Sequence, residues 1–335
     1  MLRDRSLVLV AGSGRSGTSL VSGILQRLGY HVPAPEVPAD DTNPRGFAES
    51  QWVVDFHTGL LKRARVQVSD ARPAAWAVTA DLCLEDEVQA QLRTWLEEQY
   101  READHLLIKD PRLSWFLPLW QRCSEAIGVA PRFVTMLRHP AAVVDSKQRS
   151  YGAWQGDVSR AAGWVNLTLF TERATREAPR ILVRYDDVLE DWTKTVGRIG
   201  ETLDLAVVRD APAASLRTVH EFVDRSLSRS RRDWGDLALP AQLRALADEV
   251  WELASRLADG EDVIAQLDQA RAAYIALYDE AEAIAQSSIE ASRRRGVAQA
   301  NLPVRARLVR TVPRRYRRRI PLHWRQRIVK VLANR

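Results

Sequence analysis

The segment from Leu7 to Leu28 constrains the fold more than any other part of the chain. It begins with the apolar run LVLVA, which predicts a strand covered on both faces of a sheet. Three glycines between residues 12 and 17 then permit a tight turn, and apolar residues recur at helical spacing up to Leu28. Because the first-turn amides of a helix are unpaired, the segment predicts an anion site at a helix N-terminus.

Three interpretations compete for this glycine-rich loop. The spacing GxGxxG matches a dinucleotide fingerprint, which also needs an acidic residue at the end of a second strand about 20 residues later. That region is HVPAPEVPADD, which is too rich in proline to form a clean strand. A nucleotide-triphosphate loop would carry Lys after its last glycine, whereas Thr18 follows Gly17 here. This replacement disfavours a P-loop-type nucleotide kinase, which is kept as an alternative.

The third interpretation accounts for the residues between the glycines. The run RSGTS resembles the 5′-phosphosulfate loop of sulfotransferases that use 3′-phosphoadenosine 5′-phosphosulfate (PAPS) as co-substrate. The resemblance implies that this loop binds the 5′ part of PAPS. The residues concerned are Gly14, Arg15, Ser16, Gly17, Thr18 and Ser19.

A second apolar strand, RFVTML, strengthens this resemblance. It ends at Arg138, and a helix follows in which Pro140 is acceptable in the first turn. Ser146 lies one to two turns into that helix, so both side chains can face one phosphate group. In the sulfotransferase family an Arg and a Ser at this interval bind the 3′-phosphate of PAPS, which implies that role for Arg138 and Ser146.

Two further segments fit the same family. LLIK predicts a strand with Lys109 at the sheet edge where open α/β sheets bind their ligands. ILVRYDDVL is similar to the strand and Tyr-Asp turn of the family, which implies a cofactor-binding role for Tyr185. The resemblance covers about residues 7–240. It implies an α/β fold with a central, mainly parallel sheet flanked by helices, the P-loop NTPase-like sulfotransferase fold.

Sulfuryl transfer requires in-line attack by the acceptor, stabilisation of the leaving group and removal of one proton. We expect Arg15 and Lys109 near the oxygen that bridges phosphorus and sulfur. Cytosolic sulfotransferases carry a His base two residues after the Lys, but Pro111 stands here. The segment NPRGFAE resembles one in bacterial sulfotransferases, and in carbohydrate-acting relatives a Glu after the first helix is the base. We therefore assign the general base to Glu49, with His57 as second candidate.

The acceptor that this resemblance implies is a hydroxyl of a carbohydrate or glycolipid. Indole rings stack on sugars, so four tryptophans are candidates for the acceptor site, although tryptophans at helical spacing more often belong to a core. They are Trp115, Trp120, Trp154 and Trp164. Arg231-Arg232, before Asp233-Trp234, is similar to a late basic loop of the family, but a surface cluster is the favoured interpretation.

The cysteines and the apolar runs of the sequence indicate where in the cell the protein is expected. Cys83 and Cys123 show neither metal-ligand spacing nor a disulfide framework, and no signature for a metal site is present, so none is expected. No apolar run approaches the roughly 18 residues of a membrane span, and the first strand begins almost at the N-terminus. We expect a bacterial, cytoplasmic enzyme.

The charge is concentrated at the C-terminus. From Arg293 onward the sequence has fifteen Lys or Arg and no Asp or Glu. The residues before Arg293 include 34 basic and 43 acidic side chains, so the net charge of +6 is due to the C-terminal part. We divide the chain into a sulfotransferase domain at 1–239, a helical segment at 240–292 that could form an oligomer contact, and a basic tail at 293–335. The tail can bind an anionic membrane surface, at the inner face of the membrane, and nucleic acid is the less favoured ligand. A disordered tail that binds neither is almost as well supported. A nucleic-acid- or membrane-binding protein acting through this tail is the other alternative.

Overall fold

The computed structural model describes residues 5–40, 43–151, 155–224 and 233–300, with the backbone alone for 295–300. The chain divides into two compact units, residues 1–277 and 278–335. The second unit is described as far as residue 300, where it is helical, with exposed side chains at 279–294. Most of the predicted basic tail, the pair Arg231-Arg232 and Trp154 lie outside the described residues.

Four parallel strands form the central sheet. They are β1 (Ser6–Ala11), β2 (His105–Lys109), β3 (Pro131–Leu137) and β4 (Arg180–Arg184), in the spatial order β2-β1-β3-β4. Every residue of β1 is buried, as its continuous apolar sequence predicts for a strand with helices on both faces. The carboxyl ends of all four strands meet at one edge, which confirms the predicted α/β class with a parallel sheet.

Helices cover both faces of this sheet and continue beyond it. In chain order the α-helices are α1 (Thr18–Arg27), α2 (Gln51–Ala64), α3 (Ala75–Leu82), α4 (Asp86–Glu102), α5 (Leu117–Ala126), α6 (Pro140–Tyr151), α7 (Asp157–Thr175), α8 (Tyr185–Glu190), α9 (Trp192–Thr202), α10 (Ala206–Arg209), α11 (Ala213–Phe222), α12 (Ala241–Ala258) and α13 (Ile264–Ala300). A short 3-10 helix spans Leu113–Phe116. None of the helices in the described part of the chain has the length and apolar character needed to cross a membrane.

The two faces of β1 belong to two separate apolar clusters because strand side chains alternate. Leu7 and Leu9 pack with apolar residues of α2, α4 and α5. Val8 and Val10 pack on the opposite face with residues of α1, α9 and α11. The strand is therefore held from both sides, and the loop that follows it starts from a fixed point.

The helical C-terminal extension completes the first unit. Residues Ala254 and Ala258 of α12 share a buried cluster with Leu137 and Leu182 of the sheet. Gly260, with a φ of 91°, separates α12 from α13, as expected from its place in the sequence. The presence of these helices confirms the predicted C-terminal extension.

Candidate active site

The glycine-rich loop after β1 has the backbone of an anion cradle. Gly12, Arg15 and Gly17 have positive φ values of 132°, 73° and 93°. A Cβ atom at Gly12 would lie 2.7 Å from the carbonyl oxygen of Met136, so the loop presses against β3 without space for a side chain. Gly17 is the N-cap of α1 and supplies no side-chain hydrogen bond to the first-turn amides. These amides can therefore bind an anion.

The side chain of Ser16 stabilises this loop from within. Both its amide and its hydroxyl donate to the carbonyl oxygen of Ser13, over 3.1 Å and 2.6 Å. Ser16 is one of the loop residues expected to bind PAPS, but its hydroxyl is directed to the loop's own backbone. Ser16 contributes by holding the loop in its cradle conformation.

A buried ion pair lies beside the loop at the same sheet edge. Lys109, the last residue of β2, forms a salt bridge with Glu49, and its Nζ donates to Ser19 Oγ over 3.0 Å. The side chains of Lys109 and Glu49 are only 2% and 8% exposed. Burial raises the pKa of Glu49 above its ordinary value, although the positive charge of Lys109 opposes the shift. A buried carboxyl with a raised pKa is suited to accepting a proton.

An irregular segment before α2 brings Glu49 to this position. Ala48 has a positive φ of 50°, which turns the chain just before Glu49. The Glu49 carbonyl oxygen accepts a hydrogen bond from the amide of Val37 over 2.8 Å, which fixes the backbone. The N-cap of α2 is Ser50, not Glu49. The carboxylate is therefore directed to Lys109 and does not cap the helix.

The residues predicted for the 3′-phosphate meet the loop on its other side. Arg15 Nε donates to Ser146 Oγ over 3.1 Å, and an Arg138 guanidinium nitrogen donates to the Arg15 carbonyl oxygen over 3.0 Å. The Arg138 guanidinium lies 4.5 Å from the centroid of the Tyr185 ring. That ring packs against Gly17, where an added Cβ would overlap it. Five predicted residues, far apart in the sequence, are thus brought together.

Arg138 retains an unused donor in this arrangement. Its Nε is buried and has no hydrogen-bond partner among the described residues. Burial lowers the pKa of Arg138 against the opposing charge of Asp186, and no described carboxylate lies within ion-pair distance of it. An orphaned buried donor beside an amide cradle fits an anionic ligand.

Residues 8–210 match the model of the Sulfotransferase family. The chain belongs to that family. A sulfotransferase domain of the Synechococcus PCC 7002 olefin synthase is similar in structure, with 18% identity and a TM-score of 0.44 over 76% of this chain and 97% of that domain. A sulfotransferase domain from the curacin biosynthetic pathway covers the same shares, with 14% identity and a TM-score of 0.42. No curated protein matches the chain.

In this sulfotransferase the second candidate base, His57, is engaged at both ring nitrogens. Its Nδ1 lies 2.7 Å from Asp110 Oδ2, and its Nε2 accepts from Trp120 Nε1 over 2.9 Å. Burial would raise the pKa of Asp110, but the hydrogen bond from His57 and the charge of Arg112 lower it overall. His57 is fully buried, so this geometry argues against its use as the base and gives it a structural role.

Three of the four tryptophans named from the sequence are buried in the core. Trp115, Trp120 and Trp164 are at most 1% exposed and belong to the packed interior of the sulfotransferase. Their helical spacing reflects core packing, which is the more frequent use of that pattern. Of the two interpretations that the sequence left open for these three residues, their burial favours the core.

Sequence reasoning missed Lys147, a buried residue next to the site. Its Nζ donates to Ser13 Oγ of the loop over 3.1 Å and to Ser69 Oγ over 2.7 Å. Ser69 belongs to the connection between α2 and α3. The one available signal was that Lys147 directly follows Ser146 in α6, but its direction toward the loop depends on tertiary packing.

Proposed function

We propose that this sulfotransferase transfers the sulfuryl group of PAPS to a hydroxyl of a carbohydrate or glycolipid, with Glu49 as general base. The observation that carries the proposal is the buried Glu49–Lys109 pair at the sheet edge beside the glycine-rich loop. A base and a cation next to an anion cradle are the groups that proton removal and leaving-group stabilisation require.

The described residues fit a nucleotide that carries phosphate groups at the 5′ and 3′ positions of its ribose. The amides of the loop and the first turn of α1 would hold the 5′ part, with Arg15 beside them. Arg138 and Ser146 would hold the 3′-phosphate, and the orphaned Arg138 Nε is the donor left for it. Tyr185 would keep the Arg138 guanidinium in place through its ring face.

Bound PAPS supplies a sulfuryl group on a phosphate leaving group. Glu49 would take the proton of the attacking hydroxyl, a step that its raised pKa favours. A protonated Glu49 no longer neutralises Lys109, so the ammonium becomes free to stabilise negative charge on the leaving oxygen. Proton removal and leaving-group stabilisation are thereby coupled in one ion pair.

The acceptor class rests on sequence. Pro111 occupies the position of the His base found in cytosolic small-molecule sulfotransferases, and NPRGFAE is similar to a segment of bacterial relatives, with Glu49 at its end. These two features support a carbohydrate or glycolipid hydroxyl as acceptor. A screen of sulfated products formed from PAPS and a panel of glycans and glycolipids tests this part.

The basic tail supports a second proposal about location. We propose that residues 293–335, with fifteen basic and no acidic side chains, hold the enzyme at an anionic membrane surface. Sedimentation with vesicles containing anionic lipid should depend on the tail and weaken with salt. Sedimentation that is unchanged when the tail is removed would contradict it.

The test of the co-substrate is titration of the purified protein with adenosine 3′,5′-bisphosphate, 5′-AMP and ATP with Mg²⁺, followed by calorimetry. We expect the bisphosphate to bind most tightly, because only it can use both the loop and Arg138. A stronger response to ATP with Mg²⁺ would favour the kinase interpretation and contradict PAPS dependence.

A further inference from the structure

Lys147 places a positive charge behind the glycine-rich loop in an unusual setting. The residue is 4% exposed, and its two hydrogen-bond partners, Ser13 and Ser69, are neutral hydroxyls. Among the described residues no carboxylate lies within ion-pair distance of its Nζ. A buried ammonium without a counterion is costly, so the site lacks a negative charge.

The charged groups around Lys147 do not supply that charge. From its own helix, Asp145 pairs with Arg149 over 2.9 Å. From α7, Arg160 faces the amine and adds positive charge, and the carboxylate near it, Asp157, pairs with Arg160 itself over 3.2 Å.

The remaining carboxylate near this region is also used elsewhere. Asp70, next to Ser69 in the α2–α3 connection, pairs with Arg72 over 2.7 Å. On the loop side, Lys147 contacts Ser13, and the neighbouring charge there is the cation Arg15. The charged groups named here from α6, α7, the loop and the α2–α3 connection are thus either positive or already paired.

The pKa of the Lys147 amine also lies in a pH range where the amine can gain or lose its proton. Burial, followed by the positive charge of Arg160, lowers the pKa of Lys147 to about 8. An anion placed in the adjacent cradle would favour the ammonium and raise this pKa. Proton binding at Lys147 and anion binding in the loop are then linked, and each strengthens the other.

We propose that the anionic group bound in the glycine-rich loop is the counterion of Lys147, so that binding of the nucleotide is accompanied by uptake of a proton from solvent at Nζ. The inference deepens the proposed function and rests on it in taking the loop as the site of a phosphate or sulfuryl group. Lys147 acts here as a positioning and charge-supplying residue, through Ser13 and the loop.

Calorimetry at pH 8.5 in two buffers of different ionisation enthalpy, both free of phosphate, sulfate and sulfonate, counts the protons taken up. We expect roughly half to one proton per bound adenosine 3′,5′-bisphosphate, since its phosphates do not titrate at this pH. Above pH 8 the affinity should fall, becoming about five- to twentyfold weaker at pH 9.5 than at pH 7.5. Below pH 8 the ammonium is already formed and the dependence should be small.

Three variants separate the charge from packing. Lys147→Met should bind weakly and take up no proton at pH 8.5. Lys147→Arg, whose guanidinium keeps its proton, should bind without uptake and without the fall above pH 8. Lys62→Met removes an exposed lysine from α2 and should behave as wild type. If neither Lys147 variant folds, the proton count of the wild-type protein decides.

Inorganic sulfate, which does not titrate near pH 8.5, serves as a second probe. Bisphosphate that binds wild type with no proton uptake overturns the inference and leaves the proposed function intact. Sulfate that binds with uptake, in a protein that does not bind the bisphosphate, supports the inference and contradicts PAPS dependence. A protein that binds neither probe overturns both.

Discussion

The two sides of the glycine-rich loop differ in how their cations are balanced. On one side Lys109 is neutralised by Glu49, and both side chains are buried. On the other side Arg138 is half-buried and Lys147 is buried, and neither forms an ion pair with a carboxylate in the described part of the chain. The first cation has its counterion beside it, whereas the two cations of the second side form no ion pair with a described carboxylate.

This difference separates two tasks of a transferase. A neutral pair becomes positively charged when its carboxylate takes a proton, which suits a chemical step that develops negative charge on a leaving group. Uncompensated cations attract an anion and discriminate against neutral molecules, which suits binding. We therefore expect substitutions on the Glu49 side to change turnover and substitutions on the Arg138 side to change affinity.

The largest expected effect is that of Glu49→Gln. Loss of the base should lower kcat by a factor of about 100 or more, while the dissociation constant of adenosine 3′,5′-bisphosphate stays within about threefold. In wild type, kcat should fall as the pH is lowered through the raised pKa of Glu49, above its ordinary value of 4.5. Initial rates of sulfate transfer against pH, with exposed Glu97→Gln as matched control, provide the measurement. Unchanged turnover would remove Glu49 from the mechanism.

Arg138→Ala should act on binding. We expect the dissociation constant of the bisphosphate to rise about 10- to 100-fold, because a charge-assisted contact to the 3′-phosphate is lost. Binding of 5′-AMP, which lacks that phosphate, should change much less. Calorimetric titration of both nucleotides measures this, with exposed Arg244→Ala as control. Equal losses for the two nucleotides would contradict a 3′-phosphate role.

His57→Gln tests whether His57 stabilises the fold or acts as the general base. Breaking the contacts to Asp110 and Trp120 should lower the free energy of unfolding by about 2–4 kcal/mol, with kcat of the folded protein reduced less than tenfold. Because the pKa of Asp110 is lowered in the folded state, its contribution to stability is complete above about pH 4 and is lost as the pH falls through the lowered pKa.

Denaturant unfolding at several pH values measures how the contribution of Asp110 to the free energy of unfolding depends on pH. The wild-type free energy should decrease more steeply below pH 4 than that of His57→Gln, and exposed His220→Gln should follow wild type. A loss of kcat as large as that of Glu49→Gln, in a protein of normal stability, would instead restore His57 as a candidate base.

The smallest effect is expected for Arg45→Ala. Arg45 pairs with Asp224 over 2.9 Å, but both side chains are more than a third exposed. Such a pair contributes less than about 1 kcal/mol, so thermal unfolding should shift little and kcat should stay within about threefold. A larger loss of kcat would show that this contact helps to hold the segment that carries Glu49.

The local parts of the site were predictable because they follow chain order. The strand, the glycine turn and α1 are contiguous, and Arg138 and Ser146 are joined by a single helix. The parallel sheet follows from buried apolar runs that each end at a polar or glycine-rich turn. Lys109 could be placed for the same reason, since strand ends meet at one sheet edge.

The remainder depends on contacts between distant segments. Ser13, Ser69 and Lys147 come from three separate connections or helices, so no spacing in the sequence signals their contact. The sequence left Trp115 open between a core role and an acceptor role, because a tryptophan facing a core and one facing a ligand can have the same spacing. The orientation of His57 toward Asp110 and Trp120 likewise appears only when α2, the end of β2 and α5 are packed together.

The packing of α12 limits where this enzyme can be cut or recombined. The family match ends at residue 210, yet Trp251 contacts the ring of His139, the neighbour of Arg138, with 5.4 Å between ring centroids. A fragment without α12 would uncover Leu137 and Leu182. Tyr274 is anchored further along, its hydroxyl donating to the Ala162 carbonyl oxygen over 2.9 Å. A portable catalytic module, for fusion or domain exchange, therefore has to include this helix and extend past Tyr274.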